Sequence, residues 1–153
     1  MVVTAGHTTM GIFSAVALTT AAGCGGSGPT STNTPREIFE AVLMSPVVGG
    51  VSDLQGVGDT WQGYSLYLRF SATDVCIDSL IATGYREVYW SDIEDEFDLP
   101  PGYDRFDPPW APGSIYDKDC YIDEVENSWT SSGTHWLVVD RENGTVYFRG
   151  LGA

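Results

Sequence analysis

The spacing of apolar residues along the chain predicts two short helices. The first is predicted over residues 35–44, where apolar side chains recur at helical spacing and Thr34 and Glu37 are placed to form a capping box. The second is predicted over residues 74–82, where Thr73 is a suitable N-cap residue. Each helix has one apolar side, so each is expected to pack against a sheet.

Alternation of apolar and polar residues predicts the strands. Residues 64–70 alternate over their whole length, which is typical of a half-buried strand, and residues 85–90 are predicted as a second strand. Two β-prone runs at 135–139 and 145–148 flank an Asn-Gly dipeptide, and this pattern favours a β-hairpin. The glycine-rich residues 51–63 are predicted as a loop with a short strand at most.

Residues 91–129 differ from the rest of the chain in composition. They contain 5 of the 8 prolines, and from Asp92 to Glu126 there are 12 acidic residues against only Arg105 and Lys118. Aromatic residues are scattered through this segment. So many rings favour an ordered loop packed through its aromatic side chains over a disordered acidic linker.

Together these elements predict an α+β fold. We expect a small, mainly antiparallel sheet of about four strands, with two helices on one face and a long acidic, aromatic-rich loop. The charged part of the chain begins after residue 34 and holds 119 residues (153 minus 34), which is enough for one domain with its own core.

The start of the chain has the features of a targeting segment. Residues 1–34 carry no Lys, Arg, Asp or Glu, and residues 10–23 are apolar and small. That run is shorter than the roughly 20 residues of a membrane-spanning helix and suits the apolar core of a signal peptide. It ends in a motif that resembles the lipobox of bacterial lipoproteins, Ala21-Ala22-Gly23-Cys24.

The resemblance covers this targeting segment alone. In bacterial lipoproteins the lipobox cysteine receives a diacylglyceryl group and becomes the new N-terminus. The resemblance therefore implies a signal peptide over residues 1–23, a flexible Gly/Ser/Thr-rich tether over 24–34, and a single globular domain over 35–153. The protein would then belong to the cell envelope, held to a membrane by lipid on Cys24 and facing the extracytoplasmic side. The alternative is an ordinary secretory signal peptide in which this cysteine plays no part.

The three cysteines fit this assignment. If Cys24 carries lipid, Cys76 and Cys120 remain as an even pair in an oxidising compartment, and a disulfide between them is predicted. The alternative is that they are two unrelated buried thiols.

The net charge of −14 limits the partners that the protein can have. Such a chain repels the phosphates of nucleic acids, which argues against a nucleic-acid partner. It permits a basic protein partner or a cation, although an acidic surface also serves solubility alone. Acidic residues near Trp and Tyr are also found at sugar-binding surfaces, so a carbohydrate is a further candidate partner. Tyr and Trp are common at binding hot spots, so four aromatic residues are candidates for a binding face: Tyr103, Phe106, Trp110 and Tyr116. Alternatively, these rings form the core beneath the loop.

No catalytic motif stands out, and no catalytic residue is assigned. The leading hypothesis is a non-enzymatic binding or structural domain that meets its partner through residues 89–129. One alternative is a calcium-binding domain, because clustered carboxylates supply the oxygen ligands that Ca²⁺ prefers, here Asp117, Asp119, Asp123 and Glu124. Another is a glycosidase-like hydrolase that uses two carboxylates. His135, the single histidine after the tether, is predicted to be structural or at the surface.

Overall fold

A computed structural model describes residues 34–43, 49–59, 63–125 and 133–152. The predicted signal peptide, nearly all of the tether and Cys24 lie outside these residues. Two helices and six strands are formed: α1 (Pro35–Val42), β1 (Val51–Asp59), β2 (Tyr64–Ala72), α2 (Asp74–Ile81), β3 (Arg86–Glu87), β4 (Asp119–Val125), β5 (Gly133–Asp140) and β6 (Thr145–Gly152). Within the described ranges, no helix has the length and apolar character needed to cross a membrane.

The strands form one antiparallel sheet in the order β1-β2-β6-β5-β4-β3. The β5–β6 pair is the predicted hairpin; β5 is longer than the predicted 135–139 at both of its ends, and β6 begins at Thr145 as predicted but continues to Gly152. Asp140 stabilises the turn, because its carboxylate accepts hydrogen bonds from the backbone N–H and the side-chain amide of Asn143. Gly144 completes the turn with a φ of 61°, a conformation that favours glycine.

Both helices begin where the sequence predicts. The Thr34 hydroxyl accepts a hydrogen bond from the Glu37 N–H at 3.3 Å, and the Glu37 carboxylate accepts one from the Thr34 N–H at 2.7 Å. This is the predicted capping box. In α2, the Thr73 side chain accepts a hydrogen bond from the Cys76 N–H at 3.4 Å. The last helical residues, Val42 and Ile81, lie within two residues of the predicted ends.

Side chains on the two faces of the sheet form separate cores. On one face, here called the helix face, α1 contributes Ile38 and Phe39 and α2 contributes Ile77 and Leu80. The opposite face, here called the loop face, is covered by residues 88–118. Its core consists of side chains from β4, β5, β6 and that loop: Ile93, Phe97, Cys120, Trp136, Val138 and Tyr147. The prediction that both helices pack on one face is confirmed.

The sheet has six strands, whereas about four were predicted. Residues 51–59, predicted as a loop, form the edge strand β1. Two of its glycines allow close packing against β2. Gly56 pairs with Leu68 and Gly58 pairs with Leu66, and a Cβ on either glycine would lie 2.4 Å from Cδ2 of its leucine partner. Glycine therefore marks a tightly packed strand here instead of a turn.

The second unpredicted strand, β4, lies inside the segment that was predicted to be one long loop. Apolar side chains of β4 alternate between the two faces of the sheet, although acidic residues lie among them. Cys120 and Ile122 pack in the loop-face core, and Tyr121 packs against the helix-face core. The predicted strand 85–90 is reduced to Arg86–Glu87, and the chain forms a 3-10 helix from Trp90 onward.

The predicted disulfide between Cys76 and Cys120 is not formed; both are free thiols. Cys76 lies on α2, on the helix face, whereas Cys120 is buried in the loop-face core. The sheet stands between the two sulfur atoms. The Cys76 thiol instead lies 3.4 Å from the Gly49 carbonyl oxygen, within hydrogen-bond distance.

Candidate functional site

The loop face carries an open groove with a volume of about 240 Å³. Two 3-10 turns, Glu94–Phe97 and Pro112–Ser114, contribute to its lining. Aromatic rings and carboxylates share the groove, and its lining includes Trp90, Glu94, Phe97, Asp98, Trp110 and Gly113.

Trp110 is the central ring of this region. It stacks on Phe97 with the ring planes 17° apart, and its centroid lies 4.9 Å from that of Phe106. It meets Tyr67 of β2 and Tyr147 of β6 edge-on, at centroid distances of 5.6 and 5.1 Å. Its indole N–H donates to the Phe97 carbonyl at 2.8 Å. Four rings and one hydrogen bond therefore fix the orientation of this side chain.

Polar side chains of the sheet hold the loop of residues 88–118, here called the groove segment, in place. The Gln55 amide on β1 donates to the Asp107 carbonyl, and its oxygen accepts from the Asp107 N–H at 2.8 Å. The Tyr67 hydroxyl on β2 donates to the Asp98 carbonyl at 3.2 Å. Side chains from β1 and β2 thus hold both halves of the loop on the sheet.

Arg149 of β6 is a buried charge beneath this region, with only 6% of its surface exposed. Its guanidinium carbon lies 4.4 Å from the centroid of the Tyr67 ring, and Nη1 donates to the carbonyls of Leu66 and Gly150. Burial lowers the pKa of this guanidinium, while the nearby Tyr67 and Glu96 act in the opposite direction. Sequence reasoning missed this residue, although alternation along β6 places it on the same face as Tyr147.

Trp90 already binds a cation within the protein. The Lys118 ammonium lies 4.5 Å from the centroid of a Trp90 ring and donates to the carbonyls of Gly113 and Ile115 at 3.2 and 2.8 Å. This lysine therefore joins the 3-10 turn at Pro112–Ser114 to the indole. The turn also lies close to the indole edge, since a Cβ on Gly113 would be 3.6 Å from Trp90 Cζ2.

The charges that line the groove are negative. Glu94 and Asp98 are exposed, and within the described ranges neither carboxylate has an ion-pair partner within 4 Å. No Lys, Arg or His is among the lining residues. Next to the groove in sequence, Tyr89 is 79% exposed. The Lys118 ammonium lies at the edge of the groove, on Trp90 and the Gly113 carbonyl. Two exposed carboxylates against this one ammonium, beside partly exposed indole rings, favour a positively charged ligand.

The four predicted binding-face residues have different environments. Trp110 is half-buried and lines the groove, and its binding role stays a prediction. Phe106 is buried behind it, which matches the alternative that these rings form a core. Tyr103 is half-buried against Tyr67, at a centroid distance of 6.0 Å, and Tyr116 is fully exposed. Trp90, which sequence reasoning placed at the end of a strand, also lines the groove.

The four predicted calcium ligands do not come together. Asp119 pairs with Arg141, whose Nε lies 2.7 Å from its carboxylate. Asp123 lies beside Gly84, and burial raises the pKa of its carboxyl. Glu124 alternates to the other face of the sheet, and Asp117 is exposed. Over the part of the chain that the structure describes, no three His, Cys, Asp or Glu side chains converge on one point. Calcium binding stays a prediction.

His135 is buried in the helix-face part of the sheet, with 2% of its surface exposed. Its Nε2 lies 3.1 Å from the Tyr64 hydroxyl, and its ring packs edge-on against Phe148 at 5.0 Å. Burial lowers the pKa of the imidazole to about 4, so the ring is neutral near pH 7. These contacts give the histidine a structural role, which is one of the two predicted.

Comparisons of the chain with protein-family models, with curated proteins and with solved structures find no match. The groove is therefore interpreted from its own geometry. It combines partly exposed indole rings with two carboxylates, on the sheet face opposite the helices.

Proposed function

We propose that the protein is a lipid-anchored extracytoplasmic domain that binds a basic segment of a partner protein in the groove on its loop face. The observation that carries this proposal is the juxtaposition of Trp90 and Trp110 with the exposed carboxylates of Glu94 and Asp98 in one open groove. Aromatic rings attract cations through the negative face of their π-systems, and carboxylates add charge attraction.

The charge of the whole chain supports the same partner. A net charge of −14 attracts a basic protein over a distance and raises the rate of encounter, while the groove supplies the local contacts. Tyr89, exposed and adjacent to Trp90, offers a further aromatic contact beside the groove.

The anchoring part of the proposal is supported by the lipobox-like motif that ends at Cys24. A diacylated or triacylated cysteine holds a protein stably on a bilayer, and the Gly/Ser-rich residues that follow give the domain freedom to meet a partner. The test is the intact mass and membrane partitioning of the wild type and of Cys24→Ala, both expressed from the full gene in bacteria. A lipid mass on a fragment that starts at Cys24, lost in the variant, is expected; a product without lipid would contradict anchoring.

The binding part is tested by calorimetric titration of the protein with oligolysine and with oligoglutamate. We expect oligolysine to bind and oligoglutamate not to bind. Because the whole chain is acidic, the informative comparison is between Glu94→Gln/Asp98→Asn in the groove and Glu124→Gln/Glu142→Gln, which removes two exposed charges elsewhere. Equal affinities in these two variants would contradict a role for the groove.

A further inference from the structure

We infer that the groove binds one long cationic side chain of the partner, with the apolar stem along the groove wall and the charged end between the indole rings and the carboxylates. This inference rests on the proposed function and narrows it. The proposed function requires a basic segment; the inference assigns the recognition to a single inserted side chain that combines an alkyl stem with a positive charge, as lysine and arginine do.

The size of the groove supports a single side chain. Sites for drug-sized ligands have volumes of roughly 300–1,000 Å³, and the groove, at about 240 Å³, lies below that range. A folded element of a partner does not fit into such a space, whereas one extended side chain does. The rest of the partner would then lie on the surface around the groove.

The lining matches both ends of such a side chain. Leu99, Ala111 and Pro112 provide apolar surface for a methylene stem. The partly exposed rings of Trp90 and Trp110 provide π-surface for a charged end, and Glu94 and Asp98 provide the opposite charge. A cation on a short side chain would not contact the apolar wall of the groove, and an uncharged side chain would not compensate the charge of the carboxylates.

Lys118 provides an example of the same recognition inside the protein. Its ammonium lies 4.5 Å from a Trp90 ring centroid and is held by two carbonyl oxygens, one of them from the groove residue Gly113. A lysine end group therefore already packs on the indole that lines the groove. Because this ammonium repels a second cation, the charged end of a ligand would lie away from Lys118, beside Glu94 and Asp98, and would use the part of the indole surface that faces the groove.

A sugar is the other ligand class that aromatic rings accept. Sugar sites hold hydroxyl groups through several converging donors and acceptors, whereas the charged side chains in this lining, Glu94 and Asp98, are acceptors only. The carboxylates favour a positive charge over a neutral hydroxyl. A neutral oligosaccharide is therefore included in the test as a competing ligand.

The test uses short glycine-flanked peptides with one variable central residue: lysine, arginine, norleucine or diaminopropionic acid. Binding to the full-length protein is followed by NMR through the indole N–H signals of Trp90 and Trp110. We expect the lysine or the arginine peptide, or both, to shift these signals and to bind about tenfold more tightly than norleucine, which keeps the stem without the charge. Diaminopropionic acid, which keeps the charge on a short stem, is expected to bind as weakly as norleucine.

Two variants examine whether the side chain enters the groove. Gly113→Ala adds a methyl group to a lining residue, in ordinary contact with Trp90 at 3.6 Å from Cζ2, and is expected to weaken binding of the best peptide about fivefold by reducing the space. Glu94→Gln/Asp98→Asn is expected to reduce the difference between lysine and norleucine, whereas Glu124→Gln/Glu142→Gln leaves it unchanged. Circular dichroism and thermal unfolding confirm that each variant is folded.

Several results would overturn the inference. The first is that the norleucine peptide binds as tightly as the lysine and arginine peptides, and the second is that the diaminopropionic acid peptide binds as tightly as the lysine peptide. The third is that the neutral oligosaccharide binds more tightly than any of the peptides. The fourth is that neither groove variant changes the binding of the best peptide. Failure of the inference is distinct from failure of the proposed function. If oligolysine still binds in a manner that depends on Glu94 and Asp98, the basic partner is retained and only recognition through one inserted side chain is lost.

Discussion

The hydroxyl of Tyr64 lies 3.1 Å from Nε2 of His135, although their strands, β2 and β5, are separated in the sheet by β6. One glycine on β5 and one on the intervening strand β6 make this approach possible. A Cβ on Gly133 would lie 1.7 Å from the Tyr64 hydroxyl, and one on Gly150 would lie 3.3 Å from its ring. A neutral imidazole and a phenol hydroxyl thus form a buried polar pair next to the ring of Phe148.

The first prediction concerns the acid stability that this pair determines. Burial lowers the pKa of His135 to about 4, below the value of about 6.5 for an unfolded chain. Between these values the unfolded state binds one more proton, so the free energy of unfolding falls as the pH falls, by at most about 3 kcal/mol. Urea unfolding of the wild type and of His135→Phe at about pH 7, 5.5 and 4.5 measures this. A histidine contribution predicts a smaller decrease in the variant.

Asp123 requires a control in this experiment, because it pairs in register with His135 on β4. Burial raises the pKa of its carboxyl, so its effect on stability has the opposite sign: it destabilises the fold as the pH rises through the acid range. Asp123→Asn removes that effect alone. The comparison is made twice, once with Asp123 present and once in proteins that also carry Asp123→Asn. If proteins with His135 and proteins with His135→Phe lose equal stability on acidification in both cases, the assigned role of the histidine is wrong.

The second prediction concerns Arg141, which connects the β-hairpin to α2 and β4. Its guanidinium lies 2.7 Å from Asp119, 3.1 Å from Asp78 and 3.9 Å from Asp74. The network is partly exposed, so we expect Arg141→Ala to lower the free energy of unfolding by only about 1 kcal/mol at low salt, and by less in high salt. Arg105→Ala, which removes an exposed arginine, is the control for net charge. A loss that does not depend on salt would contradict an electrostatic origin.

The third prediction concerns the side chain that holds the groove segment on the sheet. Gln55→Glu keeps the size of the residue but removes the amide N–H group that donates to the Asp107 carbonyl. We expect a loss of about 1–2 kcal/mol of stability and faster hydrogen exchange at the Trp110 indole. Exchange at the backbone amides of β5, in the centre of the sheet, serves as the internal control. Unchanged exchange at Trp110 would show that the groove segment does not depend on this contact.

The fourth prediction concerns the glycines of β1. A methyl group at position 58 would lie 2.4 Å from Leu66 Cδ2 and 3.0 Å from the Ser65 carbonyl oxygen. We therefore expect Gly58→Ala to destabilise the fold by about 1–3 kcal/mol. Gly49→Ala is the matched control, because nothing lies within 4 Å of its added Cβ. Equal unfolding midpoints for the two variants would contradict the account of β1 as a closely packed strand.

The fifth prediction concerns the thiols. Cys120 is buried, and burial raises its pKa to about 11, whereas Cys76 is partly exposed. In the Cys24→Ala protein we expect a thiol reagent to modify Cys76 in the folded state and Cys120 only after unfolding. Peptide mapping by mass spectrometry identifies the modified residue. A disulfide-linked peptide containing both cysteines would contradict their placement on opposite faces.

Elements whose signals are local could be predicted from the sequence. The capping box at Thr34 and Glu37, the N-cap at Thr73 and the Asn-Gly turn each depend on residues a few positions apart, and all three form as predicted. Strands β1 and β4 depend on neighbours distant in sequence. The need for glycine at positions 56 and 58 arises from the close approach of Leu68 and Leu66 on β2. On β4, Asp119 is paired with Arg141 and Asp123 lies beside Gly84, and both of these neighbours are distant in sequence.

The groove was predictable only in outline. The composition of residues 91–129 indicates an aromatic and acidic surface, and one of the four candidate binding residues, Trp110, lines the groove. Which rings stay accessible depends on the packing of the loop against Tyr67 and Tyr147, residues of two strands that pair in the sheet. No local pattern indicates that Phe106 is buried and Trp90 lines the groove.

The location of α1 has a consequence for how the domain is presented. The chain enters the domain at Thr34, and α1 packs at once on the helix face, with Ile38 and Phe39 in its core. The groove lies on the other face, so the six-stranded sheet stands between α1 and the groove. Under the proposed lipid anchoring, a partner in the groove would bind on the side of the sheet opposite α1, so attachment and recognition would use different sides of the molecule.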